Sequence, residues 1–370
     1  MSDTIQEVNG YLEIFNQGYA FLRSAENNFR PSNDDIFVSS EMIRLHALRE
    51  GVRISGTINM NHGSEKQKPQ LQTITTINNL PPDQYKNIRE LRHLTSINPE
   101  ERLYMQVNEK DRRGAILDFV TPFGKGQRGL IISPPKTGKT TILKHIGRAI
   151  LTHQPEMQLI VLLVDERPEE VTDFRRSLPG SLVLSSSADE SVQNHVRITR
   201  LTMNMAMRQA EAGHDVVVLI DSLTRMARAF NKESYNHGRT LSGGLAANAL
   251  ELPRRFFGAG RKIEFGGSLT VMATILINTG SLMDDIIYQE FKGTGNLDLV
   301  LSQACAERRI YPAININESS TRKEHLLLSD EQARESYKLR RVLGGLREAE
   351  AMSYLMDHLD PVEAFHQKMG

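Results

Sequence analysis

Residues 129–141 read Gly-Leu-Ile-Ile-Ser-Pro-Pro-Lys-Thr-Gly-Lys-Thr-Thr, an apolar run, then a small-residue loop, then the helix-forming Thr141-Ile-Leu-Lys144. Strand, loop and helix in that order commit the chain to an α/β sheet whose first βα turn cradles phosphate. Backbone N–H groups of such a loop point at an anion from the positive end of the following helix. The pattern is that of G-x-x-x-x-G-K-[ST], in which Lys139 reaches the β and γ phosphates of ATP and Thr140 sets a hydroxyl on Mg²⁺. Thr137, Gly138 and Thr141 complete the expected cradle. The first glycine of the pattern is replaced by Ser133, and two prolines behind it stiffen the loop through fixed φ angles.

A second phosphate-handling element removes the alternative of an incidental Gly-Lys-Thr turn. Asp215-Val-Val-Val-Leu-Ile-Asp221 reads as a buried parallel strand with an acid at its carboxyl end, where open α/β sheets bind ligands. Asp221 is the expected Mg²⁺-side carboxylate. Leu159-Ile-Val-Leu-Leu-Val164 is a strand of the same kind and ends in Asp165-Glu166-Arg167. Glu166 is placed to polarise an attacking water, because γ-phosphate hydrolysis needs a positioned nucleophile more than covalent help. Gly124-Lys125-Gly126-Gln127-Arg128-Gly129 also matches G-x-G-x-x-G, but it precedes its strand instead of following one, so a dinucleotide fingerprint is rejected. A tight turn packed close to the nucleotide is expected there.

Composition permits this chemistry without indicating it. A chain of 370 residues suggests one small and one large domain. Lys plus Arg and Asp plus Glu number 45 each, so any nucleic-acid site comes from local patches. The single Cys305 excludes an internal disulfide and multi-cysteine metal sites, and fits a reducing cytoplasm. No apolar run approaches about 18 residues, and the amino terminus lacks the basic and apolar regions of a leader, so no membrane partner is expected.

Aromatic residues make up only 6% of the chain, and they cluster early in Tyr11, Phe15, Tyr19, Phe21 and Phe37. On a strand Tyr19, Phe21 and Arg23 share one face. That face suits base stacking on single-stranded RNA or an ordinary barrel core, and spacing alone leaves both open. Short strands near residues 10, 19, 36, 53 and 70 suggest a five-stranded oligonucleotide-binding barrel. The expected organisation is this barrel over 1–80, a linker over 81–113 and a phosphate-loop ATPase domain over 114–370; an RNA-binding role for the barrel comes only with the family resemblance below. Downstream, Arg225 and Arg228 share a helix face, a loop at 238–244 carries Arg239, and a further loop spans 278–284. Arg322 follows the strand-like Tyr311-Pro-Ala-Ile-Asn315, where ring ATPases place an arginine for the neighbouring subunit.

Taken together the chain resembles the Rho family of bacterial transcription termination factors, ring-forming RecA-type RNA helicases. The matching segments include Phe21-Leu-Arg-Ser-Ala25, Asp34-Asp-Ile36, Gly126-Gln-Arg-Gly-Leu130, Pro134-Pro-Lys136, Asp165-Glu-Arg-Pro-Glu-Glu-Val171, Glu290-Phe-Lys-Gly-Thr-Gly-Asn296 and Thr321-Arg-Lys-Glu324. The resemblance implies an RecA-like P-loop core behind an OB or cold-shock-type barrel, ATP and Mg²⁺ as cofactors, and 5'-3' RNA–DNA helicase activity. It implies that Lys136, Lys139, Thr140 and Arg167 hold phosphate and metal, that Glu166 activates water, and that Tyr311 stacks on adenine. Arg322 would act in trans with Arg225 beside it. Tyr19, Phe21, Arg23, Asp35 and Phe37 would form a primary RNA site, while Arg239, Thr240, Gly243, Gly244, Gly280 and Ser281 would line a central pore. Expected partners are single-stranded RNA, further copies in a homohexamer, and the RNA polymerase elongation complex.

The chain also departs from the family. Its barrel starts almost at once, Lys66-Gln-Lys68 stands where the family has a cytosine-packing aromatic, Leu282 replaces a pore lysine, and Glu318 replaces a basic residue. The alternatives are a ring that binds RNA with little translocation and a passive RNA-binding regulator. Rotary ATPase subunits share the Gly-Gln-Arg-Gly turn and the phosphate loop but lack the aromatic barrel.

Overall fold

The computed structural model describes residues 5–59, 68–234, 244–246 and 248–361. Alternating apolar residues build the first sheet, whose strands β1 (Ile5–Ile14), β2 (Ala20–Arg23), β3 (Ile36–Val38), β4 (Arg53–Asn59) and β5 (Leu71–Ile77) pair antiparallel in the order β3-β2-β1-β4-β5. Leu12, Leu22, Val38, Ile54 and Ile77 point inward and are buried. The sheet curls toward closure where the Phe37 N–H donates to the Pro69 carbonyl at 2.8 Å. Each expected barrel strand is present.

The stretch 81–113, expected as a linker, is largely exposed but is anchored to both units at a few points. Helix α2 (Pro82–Tyr85) seats Tyr85 in the barrel core. Strand β6 (Ser96–Ile97) pairs with β13 (Arg261–Ile263) and so joins the main sheet, while Leu103 and Met105 enter the ATPase core.

In that sheet β11 (Leu182–Ser187), β10 (Gln158–Glu166), β12 (Asp215–Asp221), β14 (Ser268–Leu276), β9 (Arg128–Ser133) and β15 (Leu297–Val300) run parallel in this spatial order. Strand β16 (Ser320–Thr321) adds antiparallel to β15. The continuous apolar run of β10 is explained by burial on both faces. Its Ile160, Leu162 and Val164 pack toward α6 (Val192–Glu211) and α7 (Leu223–Ser234), and its Leu159, Val161 and Leu163 pack toward α4 (Lys139–His153) and α5 (Pro168–Ser177). Among the described residues no helix is long and apolar enough to cross a membrane.

Barrel and ATPase sheet are joined by buried polar contacts. Strand β11 is the sheet's edge, and its Ser185 is paired by a side chain: the Ser185 N–H donates to Asn28 Oδ1 at 2.7 Å, and Asn28 Nδ2 donates back to the Ser185 carbonyl. Phe29 beside it is fully buried within the ATPase core. Along α6, Glu211 is paired with Arg49 at 2.9 Å and accepts from the Leu91 N–H at 2.7 Å. Asn28→Ala should leave both Ser185 backbone groups buried and unpaired, at about 1–3 kcal/mol each. The expected outcome is a clear drop in the urea midpoint of the intact chain, with no change for a surface substitution such as Thr152→Ala.

Candidate nucleotide and RNA sites

The phosphate loop runs from the end of β9 into α4. Lys136 and Gly138 take positive φ angles of 65° and 94°, which turns successive N–H groups inward ahead of the helix. No atom lies within 4 Å of where a Cβ on Gly138 would stand, so its φ rather than its space calls for glycine. Ser133 earns its place through its hydroxyl. It is fully buried and lies 2.9 Å from Thr137 Oγ1, and both hydroxyls donate to the Pro134 carbonyl at 2.8 and 2.9 Å. Side-chain bonding across the loop thus does what glycine flexibility does elsewhere. Lys136 and Thr141 are exposed, while Lys139 and Thr140 are half-buried.

Every parallel strand delivers its loop to this same edge. Lys139 Nζ donates to both Asp221 oxygens at 2.7 and 2.8 Å, and Thr274 of the adjacent strand β14 donates to Asp221 Oδ1 at 2.8 Å. On β10 a bulge between Val164 and Glu166 puts Asp165 at φ 55° and swings Glu166 inward, where it is 1% exposed. Burial raises the Glu166 carboxyl above the usual range and the Asp221 charge adds to this, while Lys139 and Arg225 oppose it. Arg225 Nη2 lies 3.4 Å from Glu166, and its Nη1 donates to the Asp165 carbonyl.

Carboxylate oxygens of Glu166, Glu170 and Asp221 lie within 4.8 Å of one another, and Thr140 Oγ1 stands 3.5 Å from Glu170. The buried Glu166 Oε2 has no hydrogen-bond partner. The oxygen set of Glu170, Asp221 and the Thr140 hydroxyl fits a hard cation such as Mg²⁺, with the orphaned Glu166 oxygen left over for another partner. Sequence reasoning did not single out Glu170 or Thr274. The spacing of Glu166 and Glu170 across the start of α5 was the available signal; Thr274 needed the register of β12 against β14. Arg167 is exposed at the start of α5, and Tyr311 is exposed beside the carboxyl end of β15.

One expectation needs correction. Gly124 to Gly129 do not pack near the phosphate loop: they lie at the amino end of β9, which is about 20 Å away along six extended residues. Gly126 turns there at φ 85° because the Lys262 backbone leaves no room for a side chain, and Lys125 pairs with Glu101 and Asp215. Gln127 is buried under this turn, its Oε1 accepting from the Gly124 N–H. Arg322 is exposed at the same far edge, its N–H bonded to the Asn296 carbonyl beside Arg128. Within one chain Arg225 and Arg322 occupy opposite edges of the sheet, so the expected meeting of the two is one between neighbouring chains.

The aromatic residues of the barrel are not its core. Phe15, Tyr19, Phe21 and Phe37 are half-buried on the outer face, with Phe15 stacked on Tyr19 at 5.3 Å and Phe21 and Phe37 at 5.8 Å. Phe15 was absent from the expected site. Arg23 does share their face, its guanidinium 5.2 Å from the Phe21 ring, but it is buried and bound to Glu13 and Asp35. Lys68 Nζ sits 4.9 Å over Phe21.

Of the expected pore residues, Arg239, Thr240 and Gly243 lie outside the described residues. Gly244 is bonded through its carbonyl to Asn231 of α7 at 2.9 Å. The loop after β14 is shorter than expected, because helix α9 (Leu282–Phe291) starts at Leu282 with Gly280 and Ser281 ahead of it. Arg228 holds this helix through Asp284 at 2.6 Å.

The nucleotide-binding domain of the ATP synthase alpha/beta family matches residues 114–321, and the Rho termination factor RNA-binding domain matches residues 8–83. Transcription termination factor Rho of Cereibacter sphaeroides is 47% identical over 354 residues, covering 95% of this chain and 83% of that protein. The Rho protein of Aquifex aeolicus is 44% identical over 355 residues, covering 95% and 81%. An ATPase of the type III secretion system of pathogenic bacteria shares the fold, with a TM-score of 0.61 at 21% identity over 84% of this chain and 86% of that one.

Replacing the Thr137 hydroxyl by a methyl in Thr137→Val should loosen the braced loop and weaken ATP-analogue binding roughly threefold to tenfold, the worth of a lost hydrogen bond. Fluorescent-nucleotide titration checks this; unchanged affinity would mean that the brace does not shape the cradle.

Proposed function

This chain belongs to the Rho family of transcription termination factors, and on that footing we propose that it works as a homohexameric ring hydrolysing ATP at sites shared between neighbours. It is an RNA-dependent ATPase with helicase activity that acts in transcription termination. The observation that carries the shared-site reading is the placement of Arg322. It lies on the edge of the sheet opposite Lys139, Glu166 and Asp221 and so cannot serve its own phosphate loop.

In this reading Lys136, Lys139 and the N–H groups from Thr137 to Thr141 hold the phosphates, with Arg167 at the rim and Tyr311 against the base. Thr140, Asp221 and Glu170 would hold Mg²⁺, which when bound neutralises phosphate charge. Glu166 orients the attacking water and takes its proton; the raised affinity of its buried carboxyl for protons suits a general base. Arg225 keeps Glu166 aimed, and Arg322 completes the neighbour's site by stabilising charge on the transferred phosphoryl group.

Residues 1–80 supply the primary site for single-stranded RNA, with bases stacked on Phe15, Tyr19, Phe21 and Phe37 and their edges facing Arg23 and Asp35. Residues 114–370, with β6 and its surroundings added, form the ATPase unit. Arg239, Thr240, Gly243, Gly244, Gly280 and Ser281 line the pore, so the ring moves 5'-3' along RNA toward the RNA polymerase elongation complex in the cytoplasm. Gly124 to Gly129 carry no nucleotide contact within their own chain; they belong to the edge that a neighbour meets.

Glu166→Gln should preserve nucleotide affinity while lowering turnover by at least about a hundredfold, the range for a lost proton acceptor. Near-normal hydrolysis would remove Glu166 from this role. Mixing Arg322→Ala chains into wild type should depress activity more than in proportion, because each altered chain disables its neighbour's site. A strictly linear loss in steady-state ATPase would refute the trans finger.

A further inference from the structure

Glu13 is a carboxylate buried where the barrel meets helix α6, and it is shared. Its Oε2 accepts from Arg23 Nε at 2.6 Å, and its two oxygens accept from Arg197 Nε at 2.5 Å and Nη2 at 2.8 Å. Arg23 lies directly beneath the aromatic face, 5.2 Å from the Phe21 ring and 5.8 Å from the Phe15 ring. Arg197 stands in the second turn of α6 and also donates to the Phe29 carbonyl at 2.6 Å.

Two residues before it on the same helix, His195 turns the other way. Its Nε2 is 3.9 Å from Asp165 Oδ1, and Asp165 is the bulge residue whose carbonyl holds Arg225 against Glu166. An unbroken set of contacts thus runs from the stacking face through Arg23, Glu13 and Arg197 to the start of α6. From there His195, whose Nε2 stands beyond hydrogen-bond range of Asp165, leads by proximity to the Asp165 bulge, and Arg225 joins that bulge to Glu166. Ion pairs of this burial are seldom the most stable filling for an interface, since apolar residues of similar volume do as well or better. Their retention between two sites calls for another role.

We propose that the Arg23–Glu13–Arg197 bridge couples occupancy of the barrel's RNA face to the positioning of Glu166, with Glu13 as the positioning residue. A base entering the face competes for the hydrogen-bonding edge of Arg23, so Glu13 redistributes its charge between the two guanidiniums. The start of α6 follows Arg197, and His195 carries the shift to the Asp165 bulge. The inference rests on the barrel being an RNA site, as proposed above.

Coupling of this kind is reciprocal and is measured as a ratio of affinities. A fluorescent non-hydrolysable ATP analogue is titrated into the full chain with and without a saturating short oligo(rC). In wild type the oligonucleotide should change analogue affinity by about fivefold or more. In Glu13→Gln the ratio should fall below about twofold, with analogue affinity in the absence of RNA unchanged. Arg197→Met is measured beside it because it leaves Arg23 paired with Glu13 and Asp35, and it carries the test should Glu13→Gln fail to fold. Its oligonucleotide affinity without nucleotide should stay near wild type while the ratio collapses. A merely structural contact would weaken both binding events and leave their ratio intact.

A wild-type ratio of one, or an undiminished ratio in Arg197→Met, overturns the proposal. Phe21→Ala separates the two claims. If it binds oligo(rC) as tightly as wild type, the barrel-site reading is what fails.

Discussion

Parallel pairing of the central strands is the constraint from which the rest follows. Strands that run the same way must be joined by long crossovers, and those crossovers become the covering helices. Every carboxyl end then opens on one edge, and every amino end on the other. Ser133, Glu166, Asp221 and Leu276 finish their strands side by side although they are far apart in sequence. The chemistry of the catalytic edge is thereby assembled from single residues, each positioned by a strand that is itself apolar and unremarkable.

That logic accounts for what could be read from the sequence. Continuous β-branched runs ending in acid identify buried parallel strands, and Asp215–Asp221 is found as expected to the residue. The phosphate loop was legible because its chemistry is local. Thr274 and Glu170 were not, since their role depends on register between strands and on where a helix starts. The Gly124–Gly129 turn misled for the opposite reason. Proximity to the phosphate loop along the chain is not proximity in space, because a strand carries its two ends apart. Alternation alone likewise could not say which face of a barrel strand looks inward; the small Ala20 and the branched Leu22 take the core, leaving Phe21 outside.

The contact between barrel and ATPase unit is chemically unlike either core. Asn28, Glu13 and Glu211 are buried there against complementary partners that include the half-buried Arg197 and Arg49, and Phe29 inserts as an apolar plug with Tyr11 and Ala25 packed beside it. Such an interface tolerates only the arrangement in which every charge is met, so it fixes the orientation of the aromatic face relative to the catalytic edge more sharply than apolar packing would. It also leaves β11 without an open backbone edge at Ser185.

The two-edged layout of the ATPase sheet has an arithmetic consequence. Under the proposed sharing of sites, a chain with Glu166 on one edge and Arg322 on the other would own no complete site; it would own halves of two. An open row of such chains always has one more half-site at each end than it can use, so the number of working centres is one fewer than the number of chains. Closing the row recovers that missing centre, and the geometry of a single sheet thereby makes the count of working centres a report on whether the assembly is shut.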